Sequence, residues 1–90
     1  MIKVRISKKD NVIQSIHCKG HAMYDDYGKD IVCASFSTMI ITTINAILTF
    51  DQNAISYTDN NDLKIINIKK DNITNNLLNN LVNMIYELRD

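Results

Sequence analysis

The stretch GHAMYDDYGKDIVCASFS, residues 20–37, separates a strand-like segment from a long apolar segment with helical spacing. Gly20 ends the first segment and is followed at once by His21, whereas Cys33 stands near the start of the second. Between them, residues 22–29 are mostly polar and predict a loop. This layout can bring an imidazole close to a thiol at a helix N-terminus, where a thiolate forms easily.

The residues before this stretch predict two paired strands. Ile2, Val4 and Ile6 alternate with polar residues, which is typical of a half-buried strand. A polar turn leads into a second strand over residues 12–19, and the two strands are expected to form a hairpin. The buried face of the second strand is predicted to carry Val12, Ile16 and Cys18.

The long helix begins within this stretch and continues beyond it. Asp30 is a plausible N-cap, because its carboxylate can accept hydrogen bonds from free backbone N–H groups. The helix is predicted to end near Phe50, and polar Ser, Thr and Asn residues interrupt its apolar run, which favours a core helix over a membrane span. Its core-facing stripe is predicted to be Phe36, Ile40, Ile44, Ile47 and Leu48.

The last part of the chain predicts a second hairpin, residues 54–58 and 63–68, and a last helix capped by Asp71 or Asn72. The apolar stripe of that helix is predicted to be Ile73, Leu77, Leu81, Met84 and Leu88, with Leu78 and Ile85 beside it. The order ββαββα predicts an α+β fold, an antiparallel sheet with both helices on one face. No linker or change of composition divides the chain, so residues 1–90 are expected to form a single domain.

The composition argues against several functional classes. Hydrophobic residues make up 46% and charged residues 22% of the chain, an ordinary globular balance. Ten acidic residues cancel ten basic ones and no dense basic cluster is present, so we expect no direct nucleic-acid partner. The N-terminal residues alternate like a strand, unlike a signal peptide. Two cysteines without a secretory signal favour free thiols and a cytoplasmic location.

Cys33 and His21 are the residues whose placement suggests catalysis. A helix N-terminus and a nearby imidazolium together can lower a thiol pKa well below its free value of about 8.5. His21 could act as general acid toward a leaving group, and backbone N–H groups at the helix start could bind an oxyanion. Gly20 and Gly28 would let the loop between them move as a lid. On physics alone, a cysteine at a helix start is also often just a small buried hydrophobe.

Taken as a block, Gly-His-Ala-x-Tyr-x-x-x-Gly-x-Asp-Ile-Val-Cys-Ala-x-x-Ser resembles the signature of the ribosomal-processing cysteine protease family (Prp). The element order and the length extend the resemblance across the chain. It implies that His21 and Cys33 are the catalytic dyad. The other matching fixed positions are Gly20, Gly28, Asp30 and Ser37. Met23 and Ser35 depart from the commonest family pattern without touching the dyad.

The resemblance also implies a substrate and an assembly. Family members remove a short N-terminal extension from ribosomal large-subunit protein twenty-seven, cutting after an aromatic pair, as homodimers without a cofactor and away from membranes. Asp30 would orient His21 or only cap the helix, and Ser37 would hydrogen-bond within the site or merely pack there. An apolar groove for the substrate would be lined by Tyr24, Tyr27 and Phe36, although loop packing explains the tyrosines equally well.

These residues allow three other interpretations. A Cys18–Cys33 disulfide is not expected in a cytoplasmic protein and would block the nucleophile. A zinc site from His17, Cys18, His21 and Cys33 fits no common closed spacing, and neighbouring residues of a strand point to opposite faces. The broader alternative is a non-enzymatic module that binds a ribosomal protein or acts in ribosome assembly without cutting.

Overall fold

Strands and helices follow one another in the predicted order. The computed structural model describes residues 3–19, 31–59 and 62–89. Its elements are β1 (Lys3–Lys9), β2 (Val12–Lys19), α1 (Ile31–Phe50), β3 (Ile55–Asp59), β4 (Leu63–Asn67) and α2 (Asn72–Arg89). The predicted order ββαββα is confirmed, β2 has its predicted bounds, and those of β3 and β4 differ from the prediction by one residue.

The four strands form one antiparallel sheet in the order β1-β2-β4-β3. Both helices cover the same face, so each strand alternates between side chains that enter the core and side chains that do not. In β4, for example, Leu63 and Ile65 are fully buried while Lys64 and Ile66 are exposed. Neither of the two described helices is long and apolar enough to cross a membrane.

An irregularity in β2 changes which of its side chains are buried. Ser7 pairs with Ser15 but the next residue of β1, Lys8, pairs with Ile13, so Gln14 is an extra residue in the ladder. Such a bulge reverses the inward and outward alternation on either side of it. Ile13 is therefore buried together with the inner residues of β2, and the prediction that Val12 shares their face is wrong.

Two asparagines satisfy the backbone of Ile13, which lies beyond the end of the β2–β4 ladder. The N–H of Ile13 donates to Oδ1 of Asn75 at 2.9 Å, and its carbonyl accepts from Nδ2 of Asn67 at 2.9 Å. Oδ1 of Asn67 accepts in turn from the backbone N–H of Lys70 at 2.9 Å. Asn67 is only 1% exposed, so its bond to the carbonyl of Ile13 is shielded from water, and the three bonds together connect β2, β4 and the loop before α2.

The apolar stripe of α1 agrees with its helical spacing. Phe36, Ile40, Ile44 and Ile47 are buried in the core, as predicted, and Leu48 packs against its margin. Thr43 is also buried, at 6% exposure. Its hydroxyl can be buried because it donates a hydrogen bond to the carbonyl of Met39 at 2.8 Å.

The buried stripe of α2 is rotated from the predicted one. Its buried side chains are Thr74, Leu78, Leu81, Val82 and Ile85. Of the predicted stripe, Leu81 is at the centre of the core, three members are half-buried, and Ile73 is 44% exposed. The sequence of α2 supports two overlapping stripes, and packing against α1 and β2 favours the one that contains Leu78 and Ile85.

Asp71 is the N-cap of α2, which decides between the two predicted candidates. Its Oδ1 accepts from the backbone N–H of Thr74 at 2.8 Å, and its carbonyl accepts from the N–H of Asn75. The hydrogen bonds from the backbone and side chain of Thr74 lower the pKa of the Asp71 carboxyl below its usual value. The ionised carboxylate is thus the form that stabilises the helix start.

Replacing Asp71 with Ala is expected to lower the melting temperature at pH 7 by removing this cap. The folded-state pKa of Asp71 lies below its unfolded value of about 3.9, so the stabilisation is present above that value. It is lost as the pH falls through the folded-state pKa. The difference in melting temperature between wild type and variant should therefore shrink between pH 5 and pH 2, as followed by circular dichroism. Glu87→Ala, on the same helix but far from its start, is the control, and a pH-independent difference for Asp71→Ala would contradict this account.

Candidate active site

Cys33 lies in the first turn of a helix, as predicted. It is the third residue of α1. The first backbone N–H groups of a helix have no partner within the helix, and its dipole favours a negative charge there. The described backbone therefore places Cys33 where both a thiolate and an oxyanion are favoured.

All four strands begin or end at one edge of the sheet, where Lys3 of β1 pairs with Lys19 of β2. β2 ends at Lys19, two residues before His21 in the sequence. Cys18 pairs with Leu63, the first residue of β4, and Leu63 pairs with Asp59, the last residue of β3. The chain therefore leaves β2 toward His21 at the edge where β3 ends and β4 begins.

The direction of α1 brings its first turn to the same edge. The helix ends at Phe50, and the chain enters β3 at Ile55 after a short turn at the opposite edge. At that opposite edge the carbonyl of Ala54 accepts from the N–H groups of Ile68 and Lys69, just beyond β4. Because α1 starts at the far end of its axis, about 30 Å away for 20 residues, Cys33 lies toward the edge where β2 ends.

The remaining predicted site residues differ in what the structure describes of them. Ser37 is half-buried one turn after Cys33, and Phe36 is 4% exposed within the core cluster. Roles for Ser37 in the site and for Phe36 in a substrate groove stay predictions. The following predicted residues lie outside the described residues: Gly20, His21, Tyr24, Tyr27, Gly28 and Asp30.

Cys18 is a buried thiol unsuited to nucleophilic attack. It is fully buried and makes no disulfide, and burial raises its pKa to about 12. The thiol therefore stays protonated near neutral pH, whereas only a thiolate is a good nucleophile.

His17 points away from Cys18, which bears on the zinc alternative. Its Nε2 lies 3.3 Å from Oδ2 of Asp62 on the outer face of the sheet, whereas Cys18 enters the core. Within residues 3–19, 31–59 and 62–89, no three His, Cys, Asp or Glu side chains cluster so as to hold a metal ion. The other two residues of the zinc alternative, His21 and Cys33, have no described side chains.

All of residues 1–90 match the family described as Cysteine protease Prp. The chain belongs to the Prp family. The resemblance carried by residues 20–37 is therefore confirmed.

Named relatives of this Prp family chain are ribosomal processing cysteine proteases. It is 40% identical over 63 residues to the ribosomal processing cysteine protease Prp of Staphylococcus aureus, covering 67% of this chain and 59% of the relative. It is 36% identical over 69 residues to the corresponding protein of Mycoplasma genitalium, covering 77% of this chain and 62% of the relative. The aligned parts thus span about three fifths of each relative's length.

The fold of a solved Prp structure agrees with the present one. The crystal structure of the ribosomal processing protease Prp of Staphylococcus aureus, with a covalently linked product peptide, superposes with a TM-score of 0.84. The match covers 98% of this chain and 88% of that chain at 24% identity. The likeness at that identity shows a shared fold, four antiparallel strands and two helices.

Two carboxylates at the site edge of this Prp family chain were not singled out from the sequence. Asp59 and Asp62 stand in a polar segment whose composition predicts only a turn. In the structure, Oδ1 of Asp59 is buried without a hydrogen-bond partner among the described residues, and Asp62 contacts His17. The alternation of β3 could have indicated that Asp59 faces inward, but not that its oxygen lacks a partner.

Proposed function

We propose that this chain is a cysteine endopeptidase that removes a short N-terminal extension from ribosomal large-subunit protein twenty-seven. Cys33 is the nucleophile and His21 the general acid and base. The observation that carries the proposal is the place of Cys33 in the first turn of α1, within a chain that matches the Prp family from end to end. The names of the relatives, ribosomal processing cysteine proteases, support the substrate class.

The proposed reaction is acyl transfer through a thioester. The Cys33 thiolate attacks the carbonyl carbon of the scissile peptide bond, and backbone N–H groups at the start of α1 stabilise the resulting oxyanion. The C–N bond breaks as the imidazolium of His21 gives its proton to the leaving amine. Water then attacks the thioester and gives a proton to His21, the C–S bond breaks, and the thiolate of Cys33 returns.

The proposal has further parts that come from the family resemblance. The chain acts as a homodimer in the cytoplasm and needs no cofactor. A free thiol at Cys18 is consistent with a reducing compartment. The surface of α1 supports self-association, because this helix carries no charged residue and exposes Ile41 and Phe50.

The test is alkylation of the native protein during cleavage of a synthetic precursor peptide, one that carries the N-terminal extension encoded in the same genome. Iodoacetamide near neutral pH should label Cys33 first, and cleavage should fall in proportion to that labelling, measured by mass spectrometry. Cys18 should stay unlabelled until the protein is denatured, because it is buried and its pKa is raised to about 12.

Cys18→Ala is the matched control, because it removes the other thiol. This variant should still cleave the peptide and should still be inactivated by iodoacetamide. Cleavage that continues after Cys33 is fully alkylated would overturn the proposed nucleophile. Binding of the peptide without any cleavage would instead favour the non-enzymatic binding module.

A further inference from the structure

The outer face of the sheet, which the helices leave uncovered, carries a cluster of basic residues. The register aligns them across three strands: Lys3 is opposite Lys19, Arg5 is opposite His17, and His17 is opposite Lys64. We call these five residues the basic sheet face. The four lysine and arginine side chains are exposed and His17 is half-buried.

Among the described residues, one carboxylate offsets part of this charge. In the described part of the chain, Asp62 is the carboxylate beside the basic sheet face, and it contacts His17 at 3.3 Å. Lys3 stands directly opposite Lys19, and like charges paired across strands destabilise a sheet. Arrangements that cost stability in this way occur at functional sites of proteins.

The spacing of the cations suits a chain of phosphates. Side chains two residues apart on one strand are about 6.7 Å apart, and neighbouring strands are about 4.8 Å apart. The next row of the same face continues with hydroxyl donors and one apolar side chain, in the order Ser7, Ser15, Ile66 and Ser56. Lysine, arginine and serine are the side chains that contact phosphate oxygens in nucleic-acid complexes.

We propose that the basic sheet face binds the phosphodiester backbone of RNA. No described residue of this face is aromatic, so the contacts are to phosphates and carry no base preference. Among the described residues of these two rows, Ile66 is the one apolar side chain, whereas protein partners use an aromatic and apolar centre. The choice of RNA among polyanions rests on the proposed function, because a ribosomal protein is processed where RNA is abundant.

The proposal revises the expectation drawn from net charge. A net charge of zero over 90 residues does not describe the two faces of the sheet separately. Strand alternation places Lys3 and Arg5 on the outer face, while Val4 and Ile6 of the same strand pack against the core. A folded chain with no net charge can therefore present a cationic surface.

The test measures binding of the full-length protein to a fluorescein-labelled, mixed-sequence single-stranded RNA of 16 nucleotides by fluorescence anisotropy. Affinity should fall with salt at a log–log slope of about −3, since each phosphate contact contributes about −0.7. The double variant Arg5→Gln, Lys64→Gln should weaken binding at least tenfold and reduce the slope by about 1.4.

Lys8→Gln combined with Lys70→Gln is the matched control. It removes the same charge from exposed residues outside the basic sheet face, because Lys8 pairs with inward-facing Ile13 and Lys70 lies in the loop before α2. Its affinity should stay within twofold of the wild type. Equal losses in the two double variants, or no saturable binding at 25 mM KCl, would overturn the proposal.

Two further probes decide whether RNA is the right occupant. Polyglutamate and phosphatidylserine-containing vesicles should bind more weakly than the RNA, and tighter binding of either would reject RNA as the partner. Cleavage of the isolated precursor peptide by the Arg5→Gln, Lys64→Gln variant should equal that of the wild type. Loss of RNA binding with cleavage intact is thus separable from failure of the proposed protease activity.

Discussion

Replacing Cys33 with Ala should abolish cleavage of the precursor peptide while leaving peptide binding intact. The substitution removes the sulfur that would form the thioester, so no residual covalent route remains. Loss of a nucleophile in proteases costs on the order of 10⁴-fold or more in kcat. Cleavage is followed by chromatography under single-turnover conditions, and peptide binding by fluorescence anisotropy.

The fold should survive this substitution, which makes the result interpretable. Cys33 is in the first turn of α1, and alanine favours helix more than cysteine does. Circular dichroism and melting temperature should match the wild type within a few degrees. His21→Ala should also reduce cleavage, because the leaving amine would lose its proton donor. Cys18→Ala should leave cleavage unchanged. Normal trimming by the Cys33→Ala protein would exclude the proposed chemistry.

The order of elements could be predicted because each element has a clear period in the sequence. In α1, Phe36, Ile40, Ile44 and Ile47 recur at three- and four-residue spacing, and all four are buried. In β4, alternation places Leu63 and Ile65 inside. These patterns depend on local geometry alone, so they survive without knowledge of the neighbours.

Details that depend on neighbouring elements could not be predicted. The bulge at Gln14 moves Ile13 into the core and Val12 out of it, and a bulge has no mark in the sequence of one strand. In α2, the core accepts Thr74 rather than Ile73, because contacts with α1 and β2 set the rotation of the helix. Hydrophobic periodicity predicts the direction of the buried face of a helix only to within the width of the apolar stripe.

The features of the candidate site also divide into those that the sequence predicts and those that depend on neighbouring elements. The motif over residues 20–37 indicates Cys33 as the candidate nucleophile, and helix geometry then explains why that position suits a thiolate. The oxygen of Asp59, which has no partner among the described residues, and the His17–Asp62 contact arise from strands that are far apart in sequence. The basic sheet face likewise emerges only from the register of β1, β2 and β4, because its residues are spread over much of the chain.

Replacing Asn67 with Ala is expected to cause a large loss of stability. Asn67 lies away from the candidate active site, at the sheet edge opposite to the one that Cys33 approaches. The substitution leaves the carbonyl of Ile13 and the N–H of Lys70 without their partners. The bond to Ile13 is buried, and a buried polar group left unpaired costs about 1–3 kcal/mol, whereas the N–H of the exposed Lys70 can bond to water at little further cost. For a domain of this size that corresponds to a melting temperature lower by roughly 5–20 °C, measured by thermal and urea denaturation.

Neighbouring asparagines provide both the control and the mechanism for the Asn67→Ala result. Asn76→Ala, on the exposed side of α2, should change stability by less than about 0.5 kcal/mol. Asn75→Ala removes the acceptor for the N–H of Ile13, so the double variant with Asn67→Ala should cost less than the two losses added together. Such coupling would show that the asparagines act through one backbone residue, which lies next to the bulge at Gln14 and beyond the end of the β2–β4 ladder. A wild-type melting temperature for Asn67→Ala would mean that water replaces both bonds and that the bulge needs no buried amide to hold it.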